Sequence, residues 1–240
     1  MASLPVLAGL GSYAARERGL GQGDGRPRFQ PAGPESARTL IQQRHLPNLP
    51  LVTQDGERVR FYDDLVKDKK VVLTFISTRA LPDSRKVTEN LAALQRFFGR
   101  RVGSDIFLYS IARTPECDTP SVLRNWAARI GAGPGWRFLT GEPSDVERLR
   151  HSLGFASQDQ ADDANPAYSI GLLRHGVERE MRWAHCQSQA APRVIAHSLL
   201  LDFGTGPAIP NSLFSGNVQR GADPSSAPIW NCRILLAGID

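Results

Sequence analysis

The sequence predicts an α/β fold, a sandwich of helices around a mixed β-sheet. Between residues 70 and 153, apolar runs suited to strands alternate with amphipathic segments suited to helices. Two further pairs of strands, one before and one after this region, have the turn residues of antiparallel hairpins. The chain has 240 residues, of which 41% are hydrophobic, so it is long enough for one domain with a full core.

Residues 1–43 form a predicted leader outside this domain. Most of it is rich in Gly, Ala, Pro and Arg without periodicity, and only residues 36–43 suggest one or two helical turns. Residues 4–10 are apolar but lack a basic segment before them, so we interpret the start as a disordered leader or, alternatively, as the remnant of an export signal. No stretch reaches 18 apolar residues, so we expect no membrane-spanning helix in this chain.

The predicted domain, residues 44–203, opens with a β-hairpin. Its strands cover residues 49–53 and 58–61, and an Asp-Gly pair between them is typical of a tight turn. A short helix is expected at residues 62–66.

The centre of the domain is a strand, a turn and a helix. The strand covers residues 70–77, the turn 78–85 and the helix 86–100. The next strand, 105–111, is expected to lie parallel and adjacent to the first because a right-handed helical crossover joins them. The carboxyl ends of both strands therefore meet at one sheet edge, where open α/β sheets place their ligand chemistry.

Cap and stop residues define the remaining elements. Pro120 in a first helical turn, after Asp118 or Thr119 as the cap, is a strong helix start. The predicted elements are helices at 120–130, 143–153 and 191–201, a strand at 136–140, an acidic loop at 156–166, and hairpin strands at 167–173 and 177–183. Residues 204–240 are rich in Gly and Pro and form a predicted disordered tail.

Charge and cysteine content argue against several classes of function. The net charge is +5, but no block of five or more basic residues occurs, so we predict no nucleic-acid partner. Cys117, Cys186 and Cys232 show neither CxxC nor Cys/His spacing, which argues against a disulfide scaffold and a structural zinc site.

Six segments resemble the SCO/SenC family, which has a thioredoxin-like fold. They occur in order between about residues 46 and 203. The segments are 50–56 (PLVTQDG), 61–65 (FYDDL), 118–120 (DTP), 133–136 (GPGW), 138–141 (FLTG) and 170–174 (IGLLR). The resemblance implies a thioredoxin-like three-layer sandwich with flexible tails and a location on the periplasmic side of the cell envelope.

The family's metal ligands are absent from the matching positions of this chain. Family members bind copper through a CxxxC turn after the first central strand and a His on the later hairpin, a set of soft ligands suited to Cu(I). The resemblance places Ala80 and Ser84 at the two Cys positions, or Leu81 and Arg85 if the alignment moves by one residue. Ser169 stands at the His position.

The resemblance implies a function related to copper delivery and cytochrome c oxidase assembly. Because hydroxyls are poor Cu(I) ligands, we expect no cofactor and a non-catalytic binding or assembly factor whose partners are respiratory oxidase assembly proteins. The alternative is an active copper chaperone or thiol-disulfide oxidoreductase that uses other ligands, such as Cys117 near the same sheet edge.

A disulfide between Cys117 and Cys186 is disfavoured. In the strand order of a thioredoxin-like sheet, the strands beside them lie three positions apart, or about 14 Å. Disulfides require Cα atoms closer than about 7 Å.

Overall fold

A computed structural model of the chain describes residues 34–204. The strands are β1 (Pro50–Thr53), β2 (Arg58–Arg60), β3 (Lys70–Ile76), β4 (Ile106–Ala112), β5 (Trp136–Thr140), β6 (Leu172–Val177) and β7 (Arg182–Gln187). The helices are α1 (Pro34–His45), α2 (Leu81–Phe98), α3 (Pro120–Ile130), α4 (Pro143–Ser152), α5 (Gln160–Ala164), α6 (Pro166–Ile170) and α7 (Pro192–Phe203). One short π-helical segment, Phe61–Val66, precedes β3.

All seven strands form one mixed sheet in the order β2-β1-β5-β4-β3-β6-β7. β3 pairs in parallel with β4, and β4 pairs in parallel with β5. β1 joins this parallel centre on one side and β6 on the other, both antiparallel. The α/β class, the mixed sheet and the adjacency of the two central strands are therefore confirmed.

The sheet separates two apolar clusters, which makes the domain a three-layer sandwich. Neighbouring residues of a strand point to opposite faces, so Val72 of β3 belongs to one cluster and Leu73 to the other. The cluster containing Val72 includes residues of α2, α3 and α7. The cluster containing Leu73 includes residues of α4 and of the segment Phe61–Val66.

The predicted N-terminal hairpin is confirmed as β1 and β2. Leu51 pairs with Val59 in an antiparallel register. Gly56 in the turn has a φ of +85°, a value that favours glycine. The side chain of Thr53 accepts hydrogen bonds from the amides of Asp55 and Glu57, which fixes the turn.

The last part of the predicted leader is helical. α1 covers Pro34–His45, which is longer than the one or two turns expected from residues 36–43. Nη2 of Arg38 lies 2.8 Å from Oε1 of Glu178, so α1 is attached to the domain. The rest of the predicted leader or signal remnant (1–33), and the predicted tail after residue 204, lie outside the described residues. Among the helices of residues 34–204, none combines the length and hydropathy needed to cross a bilayer.

Helix α2 begins five residues earlier than predicted. The turn expected at residues 78–85 is shorter, because Leu81 is the first helical residue and Ala80 is its N-cap. Pro82 fits this start because the first residues of a helix need no amide donor. Ser84 therefore lies in the first turn of α2.

The region before the second hairpin also differs from the prediction. The expected acidic loop contains α5, whose cap Asp159 accepts from the amide of Ala161. The strand expected at 167–173 was wrong, because Asn165 caps α6 and Pro166 begins it. The hairpin is formed by β6 and β7 and turns at residues 178–181.

Candidate functional site

The carboxyl ends of β3 and β4 carry a network of buried and half-buried hydroxyl groups. Ser77 follows β3 directly, and its Oγ lies 2.8 Å from Oγ1 of Thr114 in the loop after β4. The amide of Ser77 donates to Oγ of Ser84 at 2.9 Å. These bonds connect the loop after β4 and the first turn of α2 to the end of β3.

Asp118 completes this network and is fully buried. Its Oδ1 accepts from the amide of Thr78 at 3.1 Å and from the Thr78 hydroxyl. Its Oδ2 accepts from the Thr114 hydroxyl at 2.9 Å. Burial raises the pKa of Asp118, and the hydrogen bonds from Thr78 and Thr114 oppose that rise. We call Ser77, Thr78, Ser84, Thr114 and Asp118 the edge network.

The sequence suggested Asp118 only as a helix cap. The structure assigns that role to Thr119, whose side chain accepts from the amide of Val122. Asp118 instead contacts Thr78, which lies 40 positions away in the chain. The presence of several Ser, Thr and Asp residues in both loops was the signal available in the sequence.

Two of the three positions matched to family ligands lie in the turn that begins α2. The amide of Ser84 donates to the carbonyl of Ala80 at 3.1 Å, so the two residues are one helical turn apart. Ala80 is partly buried and has no side-chain ligand atom. In the other alignment, Leu81 begins α2 and Arg85 is an exposed cation within it.

The third position, Ser169, lies in α6 and not in a strand as predicted. α6 contacts β3 and α2, so this residue lies near the carboxyl end of β3. Ser169 is 1% exposed, and its Oγ donates to the carbonyl of Pro166 at 3.2 Å. The hydroxyls of Ser84 and Ser169 are therefore both engaged in hydrogen bonds within the protein.

Cys117 is half-buried in the loop after β4. Its Sγ lies 3.5 Å from Nη1 of Arg79, which belongs to the turn before α2. Cys186 lies in β7, three positions from β4 in the sheet, which confirms the predicted separation. Both thiols are free, and burial raises the pKa of Cys186 to about 11. Cys232 lies outside the described residues.

A second cluster of ionisable groups surrounds Arg150 of α4. Glu147, His151 and Asp163 lie close enough together to suggest metal ligands. However, the guanidinium of Arg150, itself 1% exposed, lies 2.6 Å from oxygens of both Glu147 and Asp163. Arg150 lowers the pKa of both carboxyls. The guanidinium of Arg150 thus occupies the place that a metal ion would take in this cluster, and the ion pairs join α4 to α5.

A third cluster links β6 to α7. Nε2 of the buried His175 lies 3.0 Å from Oγ of Ser198, and Nδ1 lies 3.0 Å from Oδ2 of Asp202. The residue types are those of a Ser-His-Asp triad. However, Ser198 lies inside a helix, whose amides bond within the helix and do not form an oxyanion hole. Nδ1 is also not aligned to donate to Asp202. We interpret this cluster as a polar link that holds α7.

Comparisons with known proteins identify the fold. No protein-family model matches the sequence. No curated protein matches it either. Several solved structures do match, and three of them represent the set.

The first is a SCO1/SenC family lipoprotein from Bacillus anthracis str. Ames, with 17% identity and a TM-score of 0.52 over 65% of this chain and 93% of that chain. ScoI from Arabidopsis thaliana, solved with copper bound, has 17% identity and a TM-score of 0.51 over 65% of this chain and 95% of that one. BsSco has 19% identity and a TM-score of 0.51 over 63% and 88% of the two chains.

Because these identities are only 17–19%, the comparison shows the fold alone. The similar proteins are matched over 88–95% of their length. The predicted thioredoxin-like architecture is therefore confirmed, and residues 34–204 of this chain contain the fold of the SCO/SenC proteins.

Proposed function

We propose that this chain is a SCO/SenC family member that lacks the family copper site and serves as a non-catalytic binding or assembly factor. The shared fold supports the relationship, together with the six sequence segments that resemble the family. BsSco is described as a member of a family of cytochrome c oxidase assembly proteins. We therefore propose respiratory oxidase assembly proteins as partners. The lipoprotein from Bacillus anthracis supports a location at the cell envelope.

The observation that carries this proposal is the chemistry at the three family ligand positions. Cu(I) prefers soft thiolate, thioether and imidazole ligands. Ala80 provides no ligand atom, and the hydroxyls of Ser84 and Ser169 are hard and already hydrogen-bonded. The residues present do not fit a copper ion, so no copper transfer step is assigned to this site.

The edge network supports the same proposal, because it stabilises the turn before α2. A metal ion or a disulfide can hold a CxxxC turn in place, but here the turn is held by hydrogen bonds. Asp118 joins the loop after β3 to the loop after β4, and Ser84 joins α2 to Ser77. Hydrogen bonds within the protein thus hold this sheet edge in place, as expected of a surface that contacts a partner.

Copper loading tests the proposal. The purified chain is incubated with Cu(I) under reducing conditions, unbound metal is removed, and copper per chain is measured. We expect no stoichiometric copper in the wild type. One copper per wild-type chain would contradict the proposal.

A second function is favoured by the position of Cys117. Its thiol lies at the same sheet edge, beside the Arg79 guanidinium, and a neighbouring cation is typical of reactive cysteines. In this alternative the chain is an active copper chaperone or a thiol-disulfide oxidoreductase. Copper bound by the wild type but not by a Cys117→Ala variant would support the chaperone. Insulin reduction that is faster with the wild type than with the same variant would support the oxidoreductase.

A further inference from the structure

A cavity of about 180 Å³ lies at the opposite end of the sheet, where β4 and β5 begin. Its wall includes the side chains of Lys69, Phe107, Tyr109 and Arg137, and it is partly covered by the segment Phe61–Val66. A single water molecule needs only about 10–15 Å³ of cavity volume measured in this way, so this cavity is much larger than a water site. The cavity therefore has room for a phosphate ion or a small carboxylic acid.

Two cations converge on this cavity. Lys69 and Arg137 both line it. Burial and the positive charge of Arg137 lower the pKa of Lys69, and the carboxylate of Asp64 opposes this change. Nζ of Lys69 donates to the carbonyl of Asp64 and lies 5.0 Å from the centre of the Phe107 ring. Among the residues described, Lys69 forms no direct ion pair.

Two carboxylates lie near the cavity. Asp64 lines the cavity, but its Oδ2 accepts from the amide of Arg60 at 2.6 Å. Glu57 lies 3.1 Å from Nη1 of Arg137 and is exposed on the β-hairpin side. The charged lining residues Asp64, Lys69 and Arg137 sum to a net charge of +1. Because Glu57 pairs with Arg137 from the hairpin side, Lys69 is the cation left to attract an anion in this partly shielded region.

The hydroxyl of Tyr109 is the second, independent indication of a ligand. This residue is only 2% exposed, and its ring stacks on Phe107 at a centroid distance of 6.5 Å. Within residues 34–204 the hydroxyl has no hydrogen-bond partner, and it stays accessible from the cavity that Tyr109 lines. Burial raises the pKa of Tyr109, so the hydroxyl keeps its proton and can donate to an anion.

We propose that this cavity binds a small oxyanion of phosphate or carboxylate chemistry. Lys69 and Arg137 supply the charge, and the Tyr109 hydroxyl donates a hydrogen bond to one oxygen. Charge-assisted hydrogen bonds of this kind are among the strongest in proteins. The site lies at the sheet end opposite the edge network. A test of this site therefore does not depend on the function proposed above.

Equilibrium dialysis of the full chain tests the site. Radiolabelled inorganic phosphate and, separately, radiolabelled acetate are titrated at constant ionic strength in chloride. We expect one saturable site per chain, and the anion that binds more tightly identifies the chemistry. The absence of saturable binding for both anions would overturn the proposal.

Three variants locate the binding site, with circular dichroism to verify folding. Lys69→Met should weaken binding about tenfold or more, the factor that corresponds to about 1.4 kcal/mol. Tyr109→Phe keeps the ring and removes only the hydroxyl. This variant should fold normally but bind the anion several-fold more weakly than the wild type does. Lys86→Met removes the same charge from an exposed position of α2 and should bind as the wild type does. Equal weakening by Lys69→Met and Lys86→Met, or no effect of Tyr109→Phe, would also overturn the proposal.

Discussion

Replacing Asp118 by Ala should destabilise the protein by about 3 kcal/mol. The substitution removes both carboxylate oxygens of the edge network. It thereby deletes three hydrogen bonds, two from Thr78 and one from Thr114. The loops after β3 and β4 then lose the group that joins them.

The magnitude follows from the burial of the groups involved. A hydrogen bond to a charged group contributes about 1.5–3 kcal/mol, so three such bonds contribute at least about 4.5 kcal/mol. Two effects reduce this sum. The carboxylate no longer has to be held in a buried position, where burial raises its pKa, and the half-buried Thr78 and Thr114 can bond to water instead. A net loss of about 3 kcal/mol remains, and a loss of that size lowers the Tm of a domain of this length by about 6–12 °C.

Urea unfolding at pH 7 measures this change. Asp162→Ala serves as the control because Asp162 is an exposed acid outside the network. The control should change the free energy of unfolding by less than about 0.5 kcal/mol. A loss below about 1 kcal/mol for Asp118→Ala would refute the claim that the network holds this edge.

Three further predictions concern other parts of the domain. Burial lowers the pKa of His175 below the ordinary 6.5, so the unfolded chain binds this proton more tightly. The free energy of unfolding should therefore fall as the pH drops through 6.5, and His175→Gln should flatten that dependence in urea titrations. Arg150→Met should cost about 2–3 kcal/mol in thermal unfolding, because it removes the buried guanidinium that bonds two partly exposed carboxylates. The double variant Ala80→Cys/Ser84→Cys should gain Cu(I) binding in a metal assay, because the two positions are one helical turn apart at a helix start.

Each of these predictions has an outcome that contradicts it. An unchanged pH dependence in His175→Gln would show that this side chain does not titrate differently on folding. Arg148→Met is the matched control for Arg150→Met, since its guanidinium is largely exposed, and equal costs for the two would refute the role of the buried ion pairs. A double cysteine variant that folds but binds no copper would show that these positions are not those of the family thiolates.

Local sequence signals were sufficient to predict those elements whose structure depends on residues close together in the chain. An Asp-Gly pair predicts the β1–β2 turn because Gly56 must adopt a positive φ. Alternating strands and helices predict the parallel pairing of β3 with β4, because crossovers are right-handed. Pro120 identifies the start of α3 for a similar reason.

Other features could not be predicted, because they depend on competing helix and strand signals or on contacts between residues far apart in the chain. Tyr168 and Ser169 precede an apolar segment suited to a strand, but Asn165 and Pro166 provide a cap and a first helical residue, and the helix prevails. The edge network joins Thr78 to Asp118 across 40 positions, so no local pattern indicates it. The same holds for the cavity, whose wall brings together loops that are far apart in the chain.

The measurement that tests the central claim most directly is the Cu(I) occupancy of the wild-type chain. A competition titration with a Cu(I) chelator under reducing conditions gives both stoichiometry and affinity, and Ala80→Cys/Ser84→Cys provides the positive comparison. We predict that the wild type leaves all the copper with the chelator, because Ala80, Ser84 and Ser169 offer no soft ligand. One tightly bound copper per wild-type chain would contradict the account.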